Sequence, residues 1–190
     1  MEKTDPKLII LLLIVIAGFF AMKAMNPHKK YSTQAYWESA TPADVADIPA
    51  AALAPGNDNG PVLMWAATTT QDPAIIDALI ERGALINEVD GIFLGTPLSG
   101  AASYNSNTEI IDRLMAHGAD LSMRLMHDNS ILQSAAMYNE NPGIIEHLIQ
   151  LGADVYYRNA YDQDALDLAI DENNTVAIAA LKKLLPNSEQ

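Results

Sequence analysis

An all-α solenoid of stacked helical hairpins, behind one N-terminal membrane-spanning helix, is the fold class that this 190-residue sequence predicts. Three observations predict it. A two-helix pattern starts at Pro61 and recurs at Thr96, Ser130 and Asp164, a spacing of 34 or 35 residues. A glycine closes three successive copies, at Gly83, Gly118 and Gly152. Finally, the stretch 8–25 is apolar throughout except for Lys23.

Residues 1–7 read as a short polar tail and 8–25 as a transmembrane signal anchor. A spanning helix needs about 17–25 apolar residues, and Lys23 can run its ammonium outward along its own stem. A cleavable signal peptide is the rival, but its cleavage site should carry small residues at −3 and −1. Cleavage after Ala21 puts Phe19 at −3, and cleavage after Ala24 puts Met22 there. Lys3 and Lys7 before the run nearly balance Lys23, Lys29 and Lys30 after it, so charge barely sets the orientation. The expected arrangement is a single-pass protein of a bacterial inner membrane with its domain facing the periplasm or exterior. A cytoplasmic domain is the alternative.

Residues 26–40 read as a spacer, with Tyr36 and Trp37 placed either there or docked on the first repeat. The segment 41–60 reads as a degraded capping unit, where Thr41 caps, Pro42 takes the first helical position and Asp44 favours the positive helix end. The repeat domain then runs to 185, and 186–190 form a polar, disordered tail.

Each repeat has one plan. A first helix ends in a small pair, Ala66-Ala67, Ala101-Ala102 or Ala135-Ala136. A polar link follows, in which Asp72-Pro73 and Asn141-Pro142 put a capping side chain before a proline at the first helical position. The second helix carries Ile75-Ile76/Leu79-Ile80, Ile110-Ile111/Leu114-Met115 or Ile144-Ile145/Leu148-Ile149, one apolar stripe at helical spacing. Glycine then supplies the left-handed residue that ends the helix. A lone unit cannot bury its stripe, but stacked neighbours can.

Thr96-Pro97-Leu98-Ser99-Gly100-Ala101-Ala102 resembles the TPLHxAA signature of ankyrin repeats, and Gly118-Ala119-Asp120 and Gly152-Ala153-Asp154 resemble that family's terminators. The likeness covers roughly 44–185. Ser99 replaces the usual histidine, the three clear units carry one extra residue between helices, and the fourth becomes irregular after Ala169. The resemblance implies protein recognition through inter-repeat fingers and the concave face of the first helices. The fingers it implies are 87–95, 122–129 and 156–163. The residues it offers a partner are Trp65, Phe93, Tyr104, Met126, Tyr138, Tyr156, Tyr157 and Tyr161, of the types interface cores favour. Leu121 and Val155 are expected to tuck under the fingers.

Charge and chemistry narrow the function further. Residues 1–30 hold five Lys/Arg against two acids, whereas 31–190 hold six against 22, a net of −16. That field repels nucleic-acid phosphates and favours a basic protein partner. Absence of cysteine excludes disulfides, thiol catalysis and thiolate metal sites. His28, His117, His127 and His147 are scattered through different segments and form no ligand set, and no nucleophile-elbow or phosphate-loop motif is present. No cofactor, metal or catalytic residue is therefore expected. The leading reading is a non-catalytic interaction module tethered at a membrane, a scaffold or accessory to an envelope partner. Its alternative is an immunity protein that inhibits a toxic or hydrolytic enzyme. A remoter one is an enzyme or cation site at Asp162, Asp164, Asp167, Asp171 and Glu172.

Overall fold

The computed structural model describes residues 28–56, 60–91 and 95–185. Ten α-helices among them fall into five consecutive two-helix units: α1 (Gln34–Trp37) with α2 (Pro42–Ala46), α3 (Val62–Thr69) with α4 (Pro73–Glu81), and α5 (Pro97–Tyr104) with α6 (Thr108–Ala116). The pairs α7 (Ile131–Tyr138) with α8 (Pro142–Gln150) and α9 (Ala165–Asp171) with α10 (Thr175–Leu184) complete the stack. Odd-numbered helices form an inner row and even-numbered ones an outer row, and each packs on its counterpart in the next pair.

The expected anchor at 8–25 lies outside the described residues. Among the described residues no helix is long and apolar enough to cross a membrane. The longest, α10, has ten residues, and at about 1.5 Å per residue it reaches only about half the ~30 Å hydrocarbon thickness. The single-pass placement in a bacterial inner membrane, with the repeats facing the periplasm, is therefore corrected: no element among the described residues supports it.

Small residues let the inner row close up. Ala66, Ala67, Ala101, Ala102, Ala135 and Ala136 are all fully buried. Gly100 takes this to its limit, since a Cβ there would lie 2.9 Å from Thr68 Cγ2 and 3.1 Å from Met64 Cγ. The outer row supplies the bulk of the core through Ile75, Ile76 and Leu79, Ile110, Ile111 and Leu114, and Ile144, Ile145 and Leu148, each at 0% exposure. Gly83, Gly118 and Gly152 adopt φ of +94°, +87° and +98°. The residue after each donates its N–H back over the helix end, Ala84 to Leu79, Ala119 to Leu114 and Ala153 to Leu148, at 3.0 Å. This 6→1 bond is the Schellman closure that a left-handed residue permits.

An asparagine ladder, buried at Asn105 and Asn139 and half-buried at Asn174, ties the units together. The last carbonyls of a helix have no intrahelical donor, and here the next unit supplies one. Asn105 Nδ2 donates to Ala67 O (2.9 Å) and Thr70 O (2.8 Å) at the end of α3. Asn139 does the same for Ala102 and Asn105, both at 2.8 Å, and Asn174 for Ala136 (3.0 Å) and Asn139 (2.9 Å). Polar side-chain pairs link the outer helices: Asp77 accepts from His117 (2.7 Å) and faces Arg113 (3.5 Å), Asp112 meets His147 (2.7 Å), and Glu146 meets Lys183 (3.1 Å).

Both ends depart from the expected outline. From Lys29 on, the segment expected as a spacer is structured: a 3₁₀ turn over Lys29–Ser32 leads into α1. Trp37 is 1% exposed, donates its indole N–H to Tyr31 O at 2.8 Å, and takes Tyr36 edge-on at 4.9 Å. With α2, closed by the Thr41–Asp44 capping box, this makes a short unit that covers α3 and α4. Lacking the alanine pair and the terminal glycine, it has no repeat signature to align. At the other end α9 is one residue shorter than α7, with Asn173 in the left-handed region at φ +56°, yet α10 forms fully.

Candidate functional site

The inner helices carry a feature that follows from their sequences. No Asp, Glu, Lys or Arg occurs in α3, α5 or α7. Their last positions align through the stack as Thr69, Tyr104 and Tyr138, with Glu172 next in register just after α9. Tyr104 and Tyr138 are 63% and 45% exposed, and their rings stack with centroids 5.8 Å apart and planes 18° from parallel. Partial burial raises the Tyr138 phenol above its ordinary value, and the neighbouring Tyr104 and Glu172 add to the rise. Below the pair, Ser103 Oγ and Ser134 Oγ share a 2.8 Å hydrogen bond that fixes the spacing of α5 and α7. Trp65, in the first full unit, is half-buried against the core.

The second part of the surface is the fingers. A backbone N–H reaches across the base of each: Asp90 to Gly95 O (2.8 Å), Leu125 to Asn129 O (2.9 Å) and Asn159 to Gln163 O (3.0 Å). Residues 92–94 of the first finger, Phe93 included, lie outside the described residues. The other two fingers are locked to each other. Ala160 N–H donates to His127 O (3.1 Å), Asn159 Nδ2 to Asn129 Oδ1 (2.7 Å), and Tyr157 OH to Asp128 Oδ2 (2.6 Å). Tyr161 OH lies 3.0 Å from His127 Nδ1. His127 and Asp128 both take positive φ, +61° and +62°, a strained pairing for non-glycine residues that these cross-finger bonds hold in place.

Within that locked pair, the aromatics divide by role. Tyr156 and Tyr161 are 73% and 63% exposed, and Met126 sits at the exposed edge of finger two. Tyr157 is instead engaged inside the surface: the Arg124 guanidinium lies 4.0 Å from its ring centroid. Its hydrogen bond to Asp128 is the main cause holding its phenol above the ordinary value. Leu121, Met123 and Val155 pack beneath against the core, which is what the alternation of the GADLSMR and GADVYYR segments requires.

The aspartates of 162–171 are internally committed. Arg158 contacts Asp164 (3.1 Å), Asp167 (3.4 Å) and Asp162 (3.9 Å), and donates as well to the Asp162 carbonyl. Asp164 and Asp167 form the capping box of α9, and Asp171 accepts from Gln163 Nε2 at 2.6 Å. These carboxylates serve as caps and ion-pair partners, and among the described residues no cluster of His, Asp and Glu could hold a metal ion.

Sequence reading missed the contacts that organise the surface. Gln133 closes the Ser130 capping box with its Oε1 and sends its Nε2 to Tyr157 O (3.1 Å) and Gln163 O (2.7 Å), fixing finger three to α7. The box was legible in Ser130 and Gln133 three residues apart; the reach to finger three was not. Residues 63–159 match a family model described as ankyrin repeats (3 copies). No match was found among curated proteins.

Proposed function

The chain belongs to the ankyrin-repeat family, and from that premise we propose that it is a non-catalytic protein-binding module. Its interface is the inner row at Tyr104 and Tyr138 together with the tips of fingers two and three at Met126, Tyr156 and Tyr161. One observation carries the assignment: three successive inner helices without a charged residue, α3, α5 and α7, present a stacked, exposed tyrosine pair. A face without charges desolvates cheaply, and tyrosine supplies contact area at low conformational cost. The locked fingers support the same reading, because a surface ordered before binding loses less entropy on complex formation.

The partner we propose is a basic protein. Residues 31–190 carry a net charge of −16, and such a field accelerates encounter with a positive partner and repels a negative one. Trp65 and Tyr157 belong to the interface as supports. Trp65 underlies the inner row, and Tyr157 sets the shape of the fingers.

The experiment is affinity capture with the full chain, run beside the Tyr104→Ala and Tyr156→Ala variants, with captured proteins identified by mass spectrometry. Proteins bound by the wild type and lost by both variants, with helical circular dichroism unchanged, are the expected result. Equal capture by all three would place the interface elsewhere.

A further inference from the structure

Resting on that reading of the inner face, we infer that the partner is anchored by an arginine, whose guanidinium lies on the open face of the Tyr138 ring and pairs with the Glu172 carboxylate. The stack with Tyr104 covers one face of Tyr138. The next equivalent position along the row is Glu172, which follows α9, the helix packed on α7.

Glu172 is suited to this role by what surrounds it. The acids of α9 itself are engaged, Asp167 by Arg158 and Asp171 by Gln163. Glu172 is exposed, and among the described residues its carboxylate makes no ion pair or hydrogen bond. It lies close enough to Tyr138 to raise the phenol. The ring and the acid are therefore neighbours that both favour a positive charge between them.

The molecule builds a related cluster once from its own residues, with the carboxylate on the ring hydroxyl and the guanidinium donating to the Ser122 carbonyl. Arg124 lies over the Tyr157 ring, and that ring's hydroxyl is held by Asp128. Cation, ring and carboxylate all come from the chain there. At Tyr138 the chain provides the ring and the carboxylate, while its described cation–ring contacts fall on Tyr31, Tyr36 and Tyr157. Arginine fits better than lysine, because a planar guanidinium stacks on a ring and still presents its edge to a carboxylate. The charge-free helices α3, α5 and α7 leave the rest of the inner row to apolar or neutral residues of the same segment.

The test uses phage-displayed random dodecapeptides, panned in parallel on the full chain and on its Tyr104→Ala/Tyr138→Ala double variant. The best wild-type binder is then synthesised with arginine and with citrulline, which keeps the shape and removes the charge. Both peptides are titrated by fluorescence anisotropy against wild type, Glu172→Gln and Tyr138→Leu. We expect an arginine among apolar neighbours in the binders that need the tyrosine pair. Citrulline should weaken binding to the wild type about tenfold, in keeping with a partly desolvated cation–π contact. The same exchange should cost no more than about twofold with Glu172→Gln or Tyr138→Leu. Thermal melts matching the wild type would show that both variants fold.

Binders that need the tyrosine pair but carry no arginine would overturn this inference and leave the inner-face interface standing. So would a citrulline penalty of the same size in Glu172→Gln as in wild type. Peptides that bind the double variant as well as the wild type, or no enrichment on either, would overturn the inference and the interface together.

Discussion

Replacing Asn139 by alanine should separate the solenoid at its centre. Asn139 is 4% exposed. Its Nδ2 donates to Ala102 O and Asn105 O at 2.8 Å, and its Oδ1 accepts from the backbone N–H of Asn141 at 2.8 Å. Alanine removes all three bonds and strands two carbonyls at the end of α5. Each such bond has a net worth of about 0.5–1.5 kcal/mol, with the upper end appropriate where buried partners are left unsatisfied. Three together give an expected loss of about 3–4 kcal/mol. For a domain of this size that lowers the melting temperature by roughly 10 °C.

The location of the ladder rung also predicts the form of the transition. Both tryptophans, Trp37 and Trp65, lie on the N-terminal side of the weakened interface, in α1 and α3. Repeat stacks are held by nearest-neighbour interfaces, so weakening one lets the two sides unfold separately. Urea denaturation of Asn139→Ala should therefore show circular dichroism falling before tryptophan fluorescence, where the wild type shows one transition. Asn107→Ala is the control. Its half-buried side chain caps α6 through Glu109 N–H at 3.0 Å and makes one bond to the preceding unit, to Gln71 O at 3.1 Å, against two for Asn139, and it should cost only about 1 kcal/mol. Coincident transitions in Asn139→Ala with a loss below about 1 kcal/mol would refute the view that the ladder joins the units.

Gly100→Val should destabilise by about 1–3 kcal/mol in denaturant melts, because its Cβ and branches meet Thr68 and Met64 across the α3–α5 contact. Leu114→Ala, at a fully buried position, should cost about 2–5 kcal/mol, and Ile178→Ala, only partly buried, should cost less. Tyr104→Ala and Tyr156→Ala should change folding stability by only about 0.5 kcal/mol while weakening partner binding by about 2 kcal/mol or more, as titration calorimetry with a captured partner would show. The Asp120 carboxyl is held below its ordinary value by hydrogen bonds from the Ser122 hydroxyl and backbone N–H. Its stabilising contribution is thus present above the unfolded-state value and lost as pH falls through the lower folded value. Ser122→Ala should move the Asp120 carbon resonance titration upward in pH.

The sequence by itself determined the repeat architecture, because its signals are local. The alanine pairs, the isoleucine stripes and Gly83, Gly118 and Gly152 each act within one helix or its cap, and their meaning depends on residues at most five positions away. The candidate surface was legible to the same depth: Tyr104 and Tyr138 are inner-helix residues by register, and Tyr156 and Tyr161 are finger residues by position.

What the tertiary structure decided is everything that crosses from one unit to the next, some 30–40 residues along the chain. Asn105, Asn139 and Asn174 read as ordinary polar link residues until each is seen capping the helix of the unit before it. Tyr157 and Tyr156 are adjacent and chemically identical. Only the folded chain brings Arg124 and Asp128 to Tyr157 and leaves Tyr156 exposed. The unit at 29–46 shows the same limit from the other side. Its Trp37 is buried by contacts rather than by pattern, so a segment with no repeat signature closes the stack. Side-chain pairing across units depends on where the stack sets each backbone, and linear spacing does not encode that distance.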